Sequence, residues 1–333
     1  MLIDILMTFL SLALILFSCF IFTNAIEWFG KKLNMGQGVV GSIFAAIGTA
    51  LPETIIPMIA ILYYHDPKAK EIGIGAIAGA PFMLGTLAFF VTGFAVIAYA
   101  ILGKRSFKMN ADLNVFSRDL SFFLVIYGVA VLTTFVRDFP VLKGAIAIML
   151  LLSYIVYLKR SFSDECAQCE DLDVLYFTRI FKVKPKLPWI VLQLLLALAG
   201  IIFGADTFVK YVEGLSNFLG IAPLILSIII TPIATELPEK LNSVIWVGRQ
   251  KDTLALGNIT GAMVFQSCFP VVFGMLFTSW NLTGITMVTA VIAIFAAALN
   301  LTWIKVRKTV NPFALLFGGV LYTVFLMCVF IRF

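Results

Sequence analysis

The sequence predicts an all-α polytopic membrane protein: ten transmembrane helices in two inverted-topology five-helix repeats, with helices 2, 3, 7 and 8 broken. Three observations carry this expectation. The 333-residue chain is 61% hydrophobic and only 13% charged, too little polar surface to clothe a water-soluble body, so a bilayer is the solvent that fits. Apolar windows of roughly 20 residues, the length that crosses the hydrocarbon core, recur from end to end and leave no stretch for a globular domain. Finally, the first half of the chain, laid over the second, repeats at a nearly fixed offset.

In order, the spans are expected over residues 4–26, 38–63, 73–102, 118–136, 140–158, 188–212, 222–247, 254–278, 283–303 and 311–331. The first has Asp4 ahead of it instead of a basic region and no small-residue cleavage pattern behind it, so it reads as a retained helix rather than a signal peptide. Spans one to five form an N-terminal repeat over 1–160, a loop covers 161–187, and spans six to ten form a C-terminal repeat over 188–333. Alternate loops share a side of the membrane. Sorted that way, seventeen Lys and Arg fall on one side, among them Lys31, Lys104, Arg160 and Lys308, against five on the other: Lys68, Lys70, Arg137, Lys143 and Arg332. The positive-inside bias makes the richer side, with the 161–187 loop, cytoplasmic and puts both termini outside, in a cell (inner) membrane. The net charge of +6 is then a matter of topology and not of nucleic-acid binding. Cys19, Cys268 and Cys328 fall inside spans as packing residues. Cys166 and Cys169 lie in an acidic stretch of the loop without a second ligand pair, and read as reduced, solvated thiols rather than a metal site.

At an offset of 186 residues Glu27 aligns with Glu213, and Gly48-Thr49-Ala50-Leu51-Pro52-Glu53 with Ala234-Thr235-Glu236-Leu237-Pro238-Glu239. A loop insertion of four residues then changes the offset to 182, where Gly75 to Ala80 meets Gly257 to Ala262. Five spans separate equivalent points. An odd number of crossings makes the second copy enter from the opposite side, and inverted repeats bring their paired features together near mid-membrane, where transporters hold their substrates.

Each block sets a proline within an apolar span. Its missing N–H strands the carbonyl four residues earlier, at Gly48 and Ala234, and bends the helix. Thr49 and Thr235 add carbonyl and hydroxyl oxygens beside the break. Irregular backbone at this depth is tolerated only where it is buried in protein or lines a cavity. Glu53 and Glu239 follow the prolines, and an ionised carboxylate inside the bilayer costs several kcal/mol unless something neutralises it. A hard divalent cation does so: Ca²⁺ takes carboxylate, carbonyl and hydroxyl oxygens. No His lies within a span and the membrane Cys are dispersed, which disfavours a soft metal. The structural alternative, a protonated Glu at a kink, is weakened by the duplication, since a kink alone does not require an acid. Glu236 and Lys240, spaced i, i+4, belong to the second copy only. Glu236 could join the cation site with Lys240 balancing it, the Lys240 ammonium could stand where a monovalent ion would bind, or Lys240 could snorkel to a water-filled vestibule.

On these residues the chain resembles the sodium/calcium exchanger family of the cation/calcium antiporter superfamily, over nearly its whole length. That family has ten spans in two inverted halves, each with a G-T-S-x-P-E motif followed by a G-N-x-x-G-S-N-x-F-N-type segment. The counterparts here are Gly48 to Glu53, Ala234 to Glu239, Gly204-Ala205-Asp206 in the sixth span, and Gly257-Asn258-Ile259-Thr260-Gly261. The resemblance implies Ca²⁺ ligation by the carboxylates of Glu53 and Glu239 with main-chain oxygens of Thr49 and Thr235. It transfers poorly for Na⁺, because Ala50, Glu236, Ala80 and Ala262 stand where the family has serines, and Leu84 and Gln266 take the final polar position of the two segments. The candidate metal-holding set is therefore Glu53, Glu239, Thr49, Thr235, Glu236, Asn258 and Gln266.

The expected function is a secondary active antiporter that exchanges Ca²⁺ against Na⁺ or H⁺ by alternating access. A proton-coupled exchanger of another divalent cation is the alternative. No cofactor is expected, the partners are inorganic cations and the lipid bilayer, no nucleic acid is involved, and the monomer is the expected working unit. An enzyme is not expected, because the chain has no GxSxG, HExxH or paired catalytic Asp motif. A channel reading finds no repeated filter.

Overall fold

In the computed structural model, residues 2–32, 50–64, 66–164, 174–182 and 184–331 are described, and among them the chain is helical with no strand. Among the described residues eight helices are long and apolar enough to cross a membrane, and two shorter apolar helices run over Leu51–Tyr63 and Pro223–Ile233. The expected all-helical membrane class is thereby met, while ten full-length spans are not counted among the described residues. The chain divides into two compact units, one formed by Met1–Ala76 and Leu152–Pro238, the other by Ile77–Leu151 and Glu239–Phe333. Each draws on both halves of the sequence.

In the first unit, α1 (Leu2–Lys32) packs along α7 (Leu187–Leu219). Lipid tails are as apolar as leucine, so such pairs are held by close packing and interhelical hydrogen bonds rather than by a hydrophobic driving force. Glycines make the approach possible: a Cβ on Gly204 would lie 2.7 Å from Ile15 Cγ1, and one on Gly214 2.7 Å from Asp4 Cγ. Those pairings run in opposite directions along the two helices, so α1 and α7 are antiparallel. Against them sit α2 (Leu51–Met58), continued by a π-helical turn over Ile59–Tyr63, and α8 (Pro223–Thr235). Leu12, Ile15, Ile56, Phe208, Val209 and Val212 are core residues of this unit. Its short helix α6 (Tyr176–Phe181) packs on α1 and α7.

The third span is one unbroken helix, α3 (Pro67–Ile101), whose irregularity is a π-helical turn over Leu84–Ala88 instead of a gap. Its later part belongs to the second unit, with α4 (Leu113–Leu132), the first part of α5 (Pro140–Asp164), α9 (Leu237–Gly248), α10 (Asp252–Gln266), α11 (Phe269–Phe277), α12 (Ile285–Arg307) and α13 (Pro312–Ile331). There α4 packs on α10 and α12, and α3 on α13. Phe82 meets Phe325 at a 53° tilt with 4.5 Å between ring centroids and stacks on Tyr322 at 5.5 Å. Trp280, 2% exposed, donates its indole N–H to the Ala130 carbonyl at 2.9 Å. The seventh and eighth spans are interrupted: α8 ends at Thr235 and α9 begins at Leu237, while α10 ends at Gln266 and α11 begins at Phe269.

Candidate functional site

The two glutamates occupy the same local position. Glu53 lies in the first turn of α2 after Leu51 and Pro52, and Glu239 in the first turn of α9 after Leu237 and Pro238. Each proline therefore stands at the start of a helix, where the missing N–H costs nothing, because first-turn amides have no intrahelical acceptor. The sequence reading expected a bent, broken helix at each block. The second copy shows a helix end at Thr235, one linking residue, Glu236, and a fresh start at Leu237. Upstream of Ala50 the first copy, with Gly48 and Thr49, lies outside the described residues, as do Cys166 and Cys169.

First-turn acids face the positive end of the helix dipole, an interaction of about 0.3–1 kcal/mol that reaches about 2 kcal/mol in partly buried settings. That offsets only part of what it costs to bury them, and both are buried: Glu53 is 2% exposed and Glu239 0%. Pro57, inside α2, also removes the donor that would otherwise meet the Glu53 carbonyl. Within the first unit Glu53 is joined by Thr235, 1% exposed, and Glu236, 0% exposed. The Thr235 hydroxyl donates to the Thr231 carbonyl at 3.0 Å, one turn back within α8.

In the second unit Asn258 comes to Glu239. Its Nδ2 donates to the Glu239 carbonyl at 3.1 Å; an amide that donates with its nitrogen turns its oxygen to the opposite side, where it can meet a cation. Gln266, 1% exposed, is the last residue of α10, and Lys240, 6% exposed, follows Glu239. Among the described residues no three His, Cys, Asp or Glu side chains form a metal-holding group. A bound cation here would therefore take much of its coordination from carbonyl, hydroxyl and amide oxygens, the donor set of a hard ion.

The sequence matches the family described as "Sodium/calcium exchanger protein" over residues 3–162 and 189–333. The chain belongs to that family. An uncharacterized membrane protein of Methanocaldococcus jannaschii is 25% identical over 284 residues, 85% of each chain. The inner membrane protein YrbG of Escherichia coli is 23% identical over 230 residues, 68% of this chain and 66% of that one. Among solved structures, the H⁺/Ca²⁺ exchanger CAX superposes with a TM-score of 0.76 at 15% identity, covering 97% of this chain and 82% of that one. The sodium-calcium exchanger NCX_Mj gives 0.59 at 19% identity, with 97% of each chain covered. At these identities the structural likeness is one of fold.

This family member also has buried polar groups that the sequence reading passed over. Asp119 in α4, 2% exposed, accepts from the Thr260 hydroxyl at 2.8 Å and from Arg118 Nε at 3.2 Å. Thr260 is two residues beyond Asn258 on α10, so the contact fixes the rotation of the helix that carries Asn258. The only signal in the sequence was an acid at the start of an apolar span. Along α8, Ser227 and Thr231 are also buried; the Ser227 hydroxyl donates to the Ile72 carbonyl at 2.7 Å and lies 3.1 Å from the Thr231 hydroxyl. At the far end of α2, the Tyr64 hydroxyl donates to the Asp206 carboxylate at 2.9 Å. Burial first, and then that carboxylate, push the Tyr64 phenol up to about 12, so it stays a donor throughout the physiological range.

Proposed function

We propose that the protein is a secondary active antiporter that exchanges Ca²⁺ against Na⁺ or H⁺ by alternating access, with Glu53 and Glu239 carrying the divalent ion. One observation carries the reading: two acids at equivalent points of the two repeats are both buried, each in the first turn of a helix that begins within an apolar stretch. A pair of buried carboxylates is stable only when protonated or neutralised by a cation. Exchange follows if the empty carboxylates must take up either the divalent ion or its counter-ions before the unit can reorient. Main-chain oxygens of Thr49 and Thr235 and the amide oxygens of Asn258 and Gln266 complete the proposed ligand set.

The counter-ion is where this chain departs from its family. Ala50 is 0% exposed and Ala262 1% exposed, and a methyl group offers no oxygen to a hard monovalent ion. Together with the buried Glu236 this favours a second reading, in which protons drive exchange of Ca²⁺ or another divalent cation. The proposed topology has both termini outside and the 161–187 loop in the cytoplasm, with the monomer as the transporting unit.

Radioactive Ca²⁺ uptake into proteoliposomes, with Na⁺ and pH gradients imposed separately, tests both readings. Uptake is expected for wild type and is expected to be lost in Glu53→Gln and Glu239→Gln. A response to the pH gradient alone selects the proton-driven reading, and Lys240→Ala then reports whether that ammonium tunes the counter-ion. If both Glu variants transport at the wild-type rate, the central claim fails.

A further inference from the structure

Residues 174–189 contain Arg179, Lys182, Lys184 and Lys186 and no acid; the next acidic residue along the chain is Asp206. All four basic residues are exposed. So are large apolar neighbours: Ile180 is 67% exposed, Phe181 58% and Trp189 36%. Such a surface suits neither bulk water nor hydrocarbon. It suits the layer between them.

The segment is also held at a defined depth. Leu175 is fully buried. The Tyr176 N–H donates to Asn24 Oδ1 at 3.1 Å and the Phe177 N–H to Gln193 Oε1 at 2.9 Å, so the first amides of α6 are met by side chains from α1 and α7. Gln193 Nε2 donates in turn to Asn24 Oδ1 at 3.0 Å and to the Ile21 carbonyl at 3.1 Å. Asn24 is 5% exposed and Gln193 0%. Gln193 lies six residues into α7, about 9 Å along its axis at 1.5 Å per residue. With 33 residues α7 is about 50 Å long, against about 40–45 Å for a bilayer with its headgroups. With the bilayer centred on α7, the clamp holds α6 beside the end of α7 at headgroup level and not out in water. Lys182 then ends α6 in the left-handed conformation, φ 52°, Pro185 keeps the chain from continuing that helix, and Pro188 stands in the first turn of α7, where its missing N–H costs nothing. Lys182, Lys184 and Lys186 are thus kept close to the first turn of α7.

We propose that residues 174–182 and 184–189 form a docking surface for anionic phospholipid headgroups, in the leaflet at this end of α7, with Ile180 and Phe181 in the interface and the four cations on the phosphates. Charge complementarity and depth select that occupant: apolar side chains flank the cations at the level where phosphates lie. Because the clamp joins α6 to α1 and α7, lipid bound here would also restrain that helix pair.

Hydrogen–deuterium exchange of the full chain in lipid nanodiscs tests this, and needs no ion flux, so its outcome is independent of the transport reading. In discs of phosphatidylcholine plus phosphatidylglycerol, amides over 178–187 are expected to exchange several-fold more slowly than in pure phosphatidylcholine. The difference should disappear in about 0.5 M salt, where the screening length falls to a few Å, and in the combined variant Lys182→Gln, Lys184→Gln, Lys186→Gln. Ile180→Ser should reduce it. Unchanged exchange in α4 and α12, in the second unit, serves as the fold control for each variant. Equal exchange in the two lipids, a difference that survives in the triple variant, equal protection by inorganic phosphate in neutral discs, or full protection in neutral lipid would each overturn the proposal.

Discussion

At the scale of single residues, the chemistry gathers around two carboxylates and the groups that hold their backbones. Asn258 holds Glu239 by its carbonyl, and in the proposed ligand set its amide oxygen also meets the cation. Asn258→Ala is expected to raise the Ca²⁺ concentration for half-maximal flux by about 10–100-fold, while costing only about 1 kcal/mol of stability for the lost hydrogen bond. Flux titrations and thermal unfolding of the same preparation separate these two effects. Thr260→Val should do the reverse. It removes a donor from the buried Asp119 and should cost about 1–3 kcal/mol, with a smaller effect on apparent affinity. Glu53, Glu239, Thr235 and Asn258 were legible in the sequence because a symmetric motif duplicates them or their neighbours. Asp119 was not, because a single acid near a span end looks the same whether it faces lipid headgroups or a neighbouring helix.

At the scale of elements, buried ion pairs and glycine contacts decide the packing. Arg105 and Asp252, with side chains 2% and 1% exposed, meet in a two-pronged pair at 2.7 and 2.9 Å. Arg105 also donates to the Val247 and Lys108 carbonyls, and the Asn110 N–H donates to Asp252, so the loop after α3 is stapled to the start of α10. Asp252→Asn strips a buried cation of its partner and should cost about 3–5 kcal/mol. The Lys68–Glu213 pair is 2.6 Å long but has side chains 48% and 39% exposed, so Lys68→Ala should barely move the unfolding midpoint, as for surface pairs in general. A smaller loss in Asp252→Asn than in Lys68→Ala would refute this ranking. Gly204→Ala, which drives a Cβ into Ile15, should cost about 1–3 kcal/mol. The spans themselves were readable, since an apolar run of the right length has one favourable state in a bilayer. Their interruptions were readable only as a tendency: a proline forbids one hydrogen bond, but whether the helix bends, ends and restarts at Glu236, or absorbs the strain in a π-helical turn as over Leu84–Ala88, depends on what packs beside it.

At the scale of the whole molecule, the proposed orientation rests on counting: seventeen Lys and Arg on one side against five on the other favour both termini outside, and on that proposal an epitope fused to the C-terminus should be accessible to antibody on intact cells. Access only after permeabilisation would reverse the orientation, and with it the direction in which the site opens first. By itself the sequence determined the membrane as solvent, the helical class, and the two matching blocks that carry Glu53 and Glu239. Each of these is a matter of local composition or of spacing along one chain, where the physics is that of a helix in hydrocarbon. The tertiary structure alone decided that both prolines stand at helix starts, that Asn258 holds the Glu239 backbone, that Asp119 orients α10, and that α6 is clamped against the end of α7. Those outcomes depend on which distant side chains meet. In a bilayer, where apolar faces do not drive helices together, that choice is made by close contacts at glycine and by a few buried hydrogen bonds.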